Sequence, residues 1–409
     1  MITNNPDSTK SSHNSKPGQQ PVRVLFVARS TSTHTVSGGM ENSFESVAAH
    51  LIAQGYEVSL VTTPPSNNLH AVVPYRHVWH VEGCKPGKYS VRWWMKVQKR
   101  RSPWLLWKPH VIFSVSNAAS SLALNRSQAM KILAQCHGTA LAEVRTSLRT
   151  PSPREFAKLP LNLSRILREI FFYRRIRQTI SIGDAVSAQL LASPIHLKDA
   201  QLTTIQNGVD ALSWEFDPDA RSSIRSRYGI ADDARVGIFN ARLHPHKGAD
   251  IAIEALTRMG PGSPNHLFVC GDGPAASALK KIARGSQAAD RIHFTGRLSP
   301  SLLSEHMSAS DVCIFPTRRH EGLPLNLLEA LANGLEVITV QSAGLPAVLG
   351  AHVHVVPLTA EGVAREWKVL HPSSLRKSRL TADFTSSYSL NAYTDLVDRH
   401  ARSMAEEVA

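Results

Sequence analysis

The chain has 409 residues, 42% hydrophobic and 19% charged, which is ample for two compact α/β domains with separate cores. No stretch runs to 18 apolar residues and the first twenty lack an apolar signal-peptide core, so neither a membrane-spanning helix nor an export signal is expected. The net charge is +14, and residues 85–180 hold 19 Lys and Arg against Glu143, Glu155 and Glu169, a local excess of +16 that points any anionic partner at the first half.

Residues 1–20 hold one large apolar residue, Ile2, among Ser, Asn, Lys and Pro, and are expected to form a disordered leader. From there, apolar strand-like runs alternate with amphipathic helical segments. VRVLFVA (22–28), a Gly-Gly turn, a helix over 39–53 and YEVSLVTT (56–63) open the first series, which continues with strands at 110–116, 130–136 and 178–183. A second series runs through strands at 235–241, 266–271, 291–296, 311–317 and 336–340. Such alternation predicts parallel sheets. The chain divides into a domain over 21–207 and another over 208–384, joined near QNGVD (206–210). A terminal helix (385–409) with Leu390, Tyr393, Leu396 and Val397 on one face is expected to complete the first domain. The four cysteines lie far apart without a C-x-x-C pair, and read as reduced, buried thiols of a cytoplasmic protein.

The densest chemical signal is HEGLPLNLLEALANG (320–334), where Glu321 sits on a loop and Glu329 on the helix after it. Two carboxylates so placed can accept hydrogen bonds from a hydroxyl-rich ligand. A bland reading competes, in which Leu327, Leu328 and Leu331 line a core and both glutamates are solvated. In NARLHPHKGAD (240–250), Arg242 follows a strand and Lys247-Gly248 opens a helix, so two cations beside a helix N-terminus form a diphosphate-type anion site. GDGP (271–274) is a further strand-to-helix turn, weak evidence alone. SGGMEN (37–42) places Gly38 and Gly39 where backbone can approach a ligand, and CHGT (136–139) puts His137 at a strand's C-terminal end, the edge at which open α/β sheets bind ligands. Asp217-Pro218-Asp219 resembles a metal-holding D-x-D but precedes a helix, so it reads as a cap and no metal is expected.

Taken together, these motifs resemble the retaining GT-B enzymes of glycosyltransferase family four, over residues 22–64 and 130–350. The resemblance implies two Rossmann-like doubly wound domains facing across a cleft. It implies that Arg242 and Lys247 bind a donor diphosphate, that Glu329 binds the nucleotide ribose, and that Glu321 and His137 hold the donor sugar. It further implies that Gly38 and Gly39 face the diphosphate and that the turn Gly296–Arg297–Leu298 meets the base; Gly271, Gly273, Leu323, Pro324 and Leu325 complete the donor-binding set. A nucleotide-diphosphate sugar would then be the donor substrate, no separate cofactor being needed, with transfer to a saccharide acceptor in polysaccharide or glycolipid synthesis. Two departures stand out: Ala347 replaces the glutamate common in the Gly-x-Pro-Glu motif, and residues 351–357 (AHVHVVP) lack the usual glycines.

The basic segment also carries aromatics, with Trp93, Trp94, Trp104 and Trp107 in 91–110 and Phe171 and Phe172 in 161–178, where Leu163, Ile166, Leu167 and Ile170 follow helical spacing. Aromatics among cations read as an interfacial helix on an anionic membrane, which suits a lipid-linked acceptor and a peripheral protein on the cytoplasmic face. Core tryptophans under a solvated basic rim are the plainer alternative. Two rival functions share part of these signals: a nucleic-acid-binding protein and a same-fold nucleotide-sugar epimerase.

Overall fold

The computed structural model describes residues 21–32, 34, 39–66, 73–149, 159–370 and 376–406; the leader 1–20 and Gly38 lie outside them. The first sheet contains β1 (Arg23–Val27), β2 (Glu57–Thr62), β3 (Val78–His80), β4 (Val111–Val115), β5 (Ile132–Cys136), β6 (Gln178–Ser181) and β7 (Leu202–Thr204), in the order β3-β2-β1-β4-β5-β6-β7. The second contains β8 (Val236–Asn240), β9 (His266–Cys270), β10 (Ile292–Gly296), β11 (Val312–Phe315), β12 (Glu336–Thr339) and β13 (Val353–Val355), in the order β10-β9-β8-β11-β12-β13. Every pairing within both sheets is parallel.

Strands β4, β5 and β8 are buried along their whole length, which is why they read as continuous apolar runs rather than alternating ones. The three strands that the sequence pattern misses, β3, β7 and β13, are three-residue edge strands with no fully buried residue, so they have no apolar run to betray them. In each sheet the order reverses once, between β1 and β4 in the first and between β8 and β11 in the second. The loops that leave these neighbouring strands diverge to opposite faces and open a crevice at the carboxyl edge, where α/β sheets bind ligands.

Helix Ser386–Glu406 returns from the second sheet to the first. Tyr393, Leu396 and Val397 are buried in the cluster that holds Val24, Phe26 and Phe113. Tyr393 also fixes polar geometry, since Gln135 Nε2 donates to its hydroxyl at 2.7 Å.

The structure corrects the interfacial reading of 91–110. Trp93 is fully buried and Trp104 nearly so, while Trp94 and Trp107 pack half-buried against the same core. Helix Val91–Val97 thus presents Trp93 and Val97 inward, and the cations form a rim around a core of indoles. Helix Leu159–Arg175 divides differently: Phe172 and Tyr173 are buried and Ile170 packs on the core, but Leu163, Leu167 and Phe171, spaced four apart, are 57%, 59% and 43% exposed. No helix among the described residues is long and apolar enough to cross a membrane. All four cysteines are free, three of them buried and Cys84 half-buried.

Because Tyr393 combines a buried ring with a buried hydrogen bond, Tyr393→Ala is expected to destabilise the protein by about 3–5 kcal/mol. Tyr393→Phe should cost about 1 kcal/mol, both read by urea unfolding.

Candidate active site

The site begins with a backbone contact. Gly248 adopts φ +82, and a Cβ there would stand 2.0 Å from the Pro316 carbonyl oxygen, so the loop after β11 can lie against the turn after β8 only because this residue is glycine. Arg318 locks the loop in place with a bidentate pair to Asp250 (2.8 and 2.6 Å) in the first turn of helix Ala249–Thr257. The result brings together side chains 74 residues apart: Lys247 Nζ lies 2.7 Å from Glu321 Oε1, and the Thr317 hydroxyl donates to the same oxygen at 3.1 Å. Arg242, two residues past the end of β8, is exposed on the turn that leads to Lys247.

Two glycine turns buttress this edge. A Cβ on Gly271 would meet the Ala241 carbonyl at 2.2 Å and one on Gly273 the Leu243 carbonyl at 2.5 Å, so the GDGP turn is stacked directly on the turn that carries Arg242. Gly271 N also donates to Gly296 O (2.8 Å), tying in the turn that leads to Arg297, which is exposed, and Leu298, which packs half-buried on the core.

Helix Leu325–Ala332 follows the loop, with Pro324 at its N-cap and Leu323 buried. Leu327, Leu328 and Leu331 do line the core, as the bland reading required, but the glutamates are not both solvated. Glu329 is half-buried, its carboxylate has no hydrogen bond or ion pair among the described residues, and desolvation pushes it up to about 7. Glu321, by contrast, is held by Lys247. Asp217 accepts from the backbone N–H groups of Asp219 and Ala220 and caps helix Pro218–Arg227, and among the described residues no cluster of metal-ligating side chains occurs.

The first domain closes over this edge. Gly39, the first residue of helix Gly39–Ala53, would carry its Cβ 3.4 Å from Leu325 Cδ1, so two helix N-termini approach one another across the cleft. His137 lies at the end of β5, and a Cβ on Gly322 would stand 3.2 Å from its carbonyl oxygen. Its Nε2 is 3.1 Å from Gln135 Oε1, an oxygen that can only accept, so Nε2 carries the proton and Nδ1 is left as an acceptor. Burial lowers its pKa to about 4, keeping the ring neutral at pH 7.

Sequence reasoning missed three contributors. Asn207, in the linker, donates to Leu323 O at 3.1 Å and so couples the linker to the glutamate loop. Gly322 admits His137, Val186 and Ile182 at close range. Glu143 pairs with Arg165 in its own domain (2.5 Å) and reaches Arg319 in the other (3.3 Å). Only the adjacency of Gly322 to Glu321 could have drawn notice to any of them.

Two Rossmann-like sheets meeting at a cleft, with a cationic turn and two differently placed glutamates at the second sheet's reversal point, define a GT-B glycosyltransferase. Residues 37–211 match the model for Glycosyltransferase Family 4, and residues 220–367 match the model for Glycosyl transferases group 1. The chain belongs to glycosyltransferase family four. The GDP-mannose-dependent alpha-(1-6)-phosphatidylinositol monomannoside mannosyltransferase of Mycolicibacterium smegmatis is 30% identical over 246 residues, 56% of this chain and 58% of that protein. This chain thus matches little more than half the length of such curated relatives. Among solved structures, a glycosyltransferase from Rickettsia africae superposes with a TM-score of 0.71 at 15% identity, covering 93% of this chain and 99% of that one. Anabaena HepE in complex with UDP-glucose gives 0.64 at 16%, covering 94% and 99%. At these identities the structures establish the fold.

The Glu329 carboxyl yields a prediction about stability. Its folded value lies above the ordinary 4.5, so the cost of holding the ionised form is absent below about pH 4.5 and grows as the pH rises toward 7. Glu329→Gln should therefore stabilise the unliganded protein by on the order of 2 kcal/mol at pH 8 and hardly at all near pH 4.5, measured by urea unfolding at both.

Proposed function

We propose that the protein is a retaining, metal-independent glycosyltransferase that moves a sugar from a nucleotide-diphosphate sugar to a saccharide acceptor. The observation that carries this reading is the Lys247–Glu321 contact at the reversal point of the second sheet, on the turn that also carries Arg242, with Gly39 against Leu325 and the His137 carbonyl against Gly322. Cations, backbone N–H groups and two helix N-termini of one electrostatic sign suit a diphosphate. Arrival of the diphosphate draws Lys247 off Glu321, which frees that carboxylate for a hydroxyl of the donor sugar while His137 accepts from another. Glu329, already carrying a desolvated carboxyl, takes the ribose hydroxyls. The leaving diphosphate is neutralised by Arg242 and Lys247, so catalysis consists of positioning and leaving-group stabilisation, with front-face attack by the acceptor hydroxyl. GDP-mannose, named in the mycobacterial relatives, is the first donor to test.

The acceptor is proposed to be lipid-linked, with the first domain resting peripherally on an anionic membrane at the cytoplasmic face. The exposed row Leu163, Leu167 and Phe171, continued by exposed Arg174 and Arg175, supports this: an apolar edge beside cations fits the boundary between headgroups and acyl chains. The nucleic-acid alternative needs aromatic faces for stacking, and Trp93 and Trp104 are buried.

Calorimetric titration with a panel of nucleoside diphosphates tests the donor site. One of them should bind, and Lys247→Ala should weaken it by about 1.5–3 kcal/mol while leaving a cooperative fold; unchanged affinity removes Lys247 from the site. For the membrane, co-sedimentation with phosphatidylglycerol vesicles is expected to fall at least several-fold in a triple Leu163→Ser, Leu167→Ser, Phe171→Ser variant, with nucleotide binding intact. Equal binding by both proteins would refute the interfacial row.

A further inference from the structure

We infer that Asn207, Ser43 and Gln135 form a one-directional hydrogen-bond relay through which a backbone carbonyl of the second domain, Leu323 O, sets the tautomer of His137 in the first. These are positioning residues, acting through the imidazole rather than on a reacting atom. Gln135 lies on β5 two residues before His137, and residues two apart on a strand share a face, so its amide reaches the imidazole. Ser43 comes from helix Gly39–Ala53, Asn207 from the linker, and Leu323 from the loop that carries Glu321. Gln135 and Asn207 are buried, as is Tyr393 beside them, while Ser43 and His137 are half-buried.

The direction of the relay follows from what each atom can do. Leu323 O only accepts, so Asn207 turns Nδ2 toward it, at 3.1 Å. That points Asn207 Oδ1, also a pure acceptor, at Ser43 Oγ (3.4 Å), and the single hydroxyl proton of Ser43 goes there. Ser43 Oγ has only lone pairs left for its other neighbour, so Gln135 presents Nε2 to it at 3.3 Å. Gln135 Oε1 then faces His137 Nε2 at 3.1 Å and holds the ring proton on that nitrogen. The two bonds of Ser43 are long, but their polarity decides: with the Gln135 amide reversed, two oxygens would stand lone pair to lone pair. Tyr393 does not decide, although Gln135 Nε2 donates to its hydroxyl at 2.7 Å, because a phenol can give a proton or take one. His137 Nδ1 is thereby fixed as an acceptor. On the glycosyltransferase reading, on which the role of the relay rests, that lone pair receives a hydroxyl of the donor sugar. The relay begins two residues past Glu321, so the acceptor at His137 is set while the glutamate loop is seated on the linker.

The test uses the full chain with isotopically labelled histidine, and long-range correlation of ring protons with ring nitrogens near neutral pH, which tells the two neutral tautomers apart. His137→Ala supplies the assignment. The wild type should show the Nε2–H form of His137 alone. Ser43→Ala and Asn207→Ala should each let the Nδ1–H form appear in at least about one molecule in ten, the scale on which one directional hydrogen bond biases such an equilibrium. Ser43→Thr keeps the hydroxyl and should restore the single form. Tyr393→Phe loses the shorter bond yet should leave the tautomer unchanged, which separates polarity from loosened packing. In Ser43→Ala, nucleoside diphosphate affinity should hold while turnover at saturating nucleotide sugar falls several-fold. An Nδ1–H form in the wild type, or a single Nε2–H form kept in both Ser43→Ala and Asn207→Ala, overturns the relay. So does a tautomer shift in Tyr393→Phe as large as that in Ser43→Ala. A shift without any change in turnover would instead strike the role given to His137 in the donor site and leave the relay standing.

Discussion

The contact between Gly248 and the Pro316 carbonyl is the constraint on which the rest of the site depends. A parallel sheet whose order reverses opens a crevice between two diverging loops, but a crevice alone does not bring their side chains within bonding distance. Here the left-handed residue at the start of helix Ala249–Thr257 lets the β11 loop settle onto the β8 turn, and the Arg318–Asp250 fork holds it there. Lys247 and Glu321 meet as a consequence. The same logic recurs one strand away, where Gly271 and Gly273 allow their turn to stack on the carbonyls of Ala241 and Leu243. The cationic edge is thus built from backbone approaches that any side chain would forbid, and its charges are carried by residues fixed to those backbones.

The two glutamates show how one short motif yields two electrostatic environments. Glu321 sits on the loop, where Lys247 and Thr317 supply a cation and a donor to one of its oxygens. Glu329 is just over one turn into the following helix, inside the wall of the second domain, with no side-chain partner among the described residues to offset its desolvation. A paired carboxylate keeps its charge and must exchange partners when a ligand arrives. An unpaired, desolvated one gains most from a ligand that brings hydroxyl donors. His137 belongs with the second kind, since burial keeps its ring neutral and Gln135 orients it.

Much of this was legible in the sequence because fully buried parallel strands leave continuous apolar runs, as at β4, β5 and β8, and the turns that carry chemistry follow those runs directly. Helix Ser386–Glu406 was legible because its apolar positions recur at helical spacing. Edge strands β3, β7 and β13 were not, being short and only partly covered. Aromatic residues misled most. Trp93 and Trp104 lie among cations in sequence, but a helix separates neighbours onto opposite faces, so the indoles turn inward while Lys96 and Lys99 remain outside. The pairing of Lys247 with Glu321 was invisible for a further reason: spacing along the chain says nothing about which loops a strand order makes adjacent.

The excess positive charge of residues 85–180 now divides into parts with different physical roles. Arg174 donates to the carbonyls of Ile195 (2.7 Å) and Pro194 (2.9 Å), Arg175 to that of Leu124 (3.2 Å), and Arg177 to the Ser403 hydroxyl of the terminal helix. Those arginines tie separate segments to helix Leu159–Arg175 and to the turn that follows it, so part of what reads as a uniform basic patch is structural. Arg165 is spent on Glu143, and through it on the other domain. Lys96, Lys99, Arg100 and Arg101 are solvent-facing and contribute to the long-range field. Arg168 fits none of these groups: half-buried, its guanidinium stacks on Trp94, and its Nε has no hydrogen-bond partner among the described residues. A net charge counts these cations alike, whereas the energy of each depends on what it already touches.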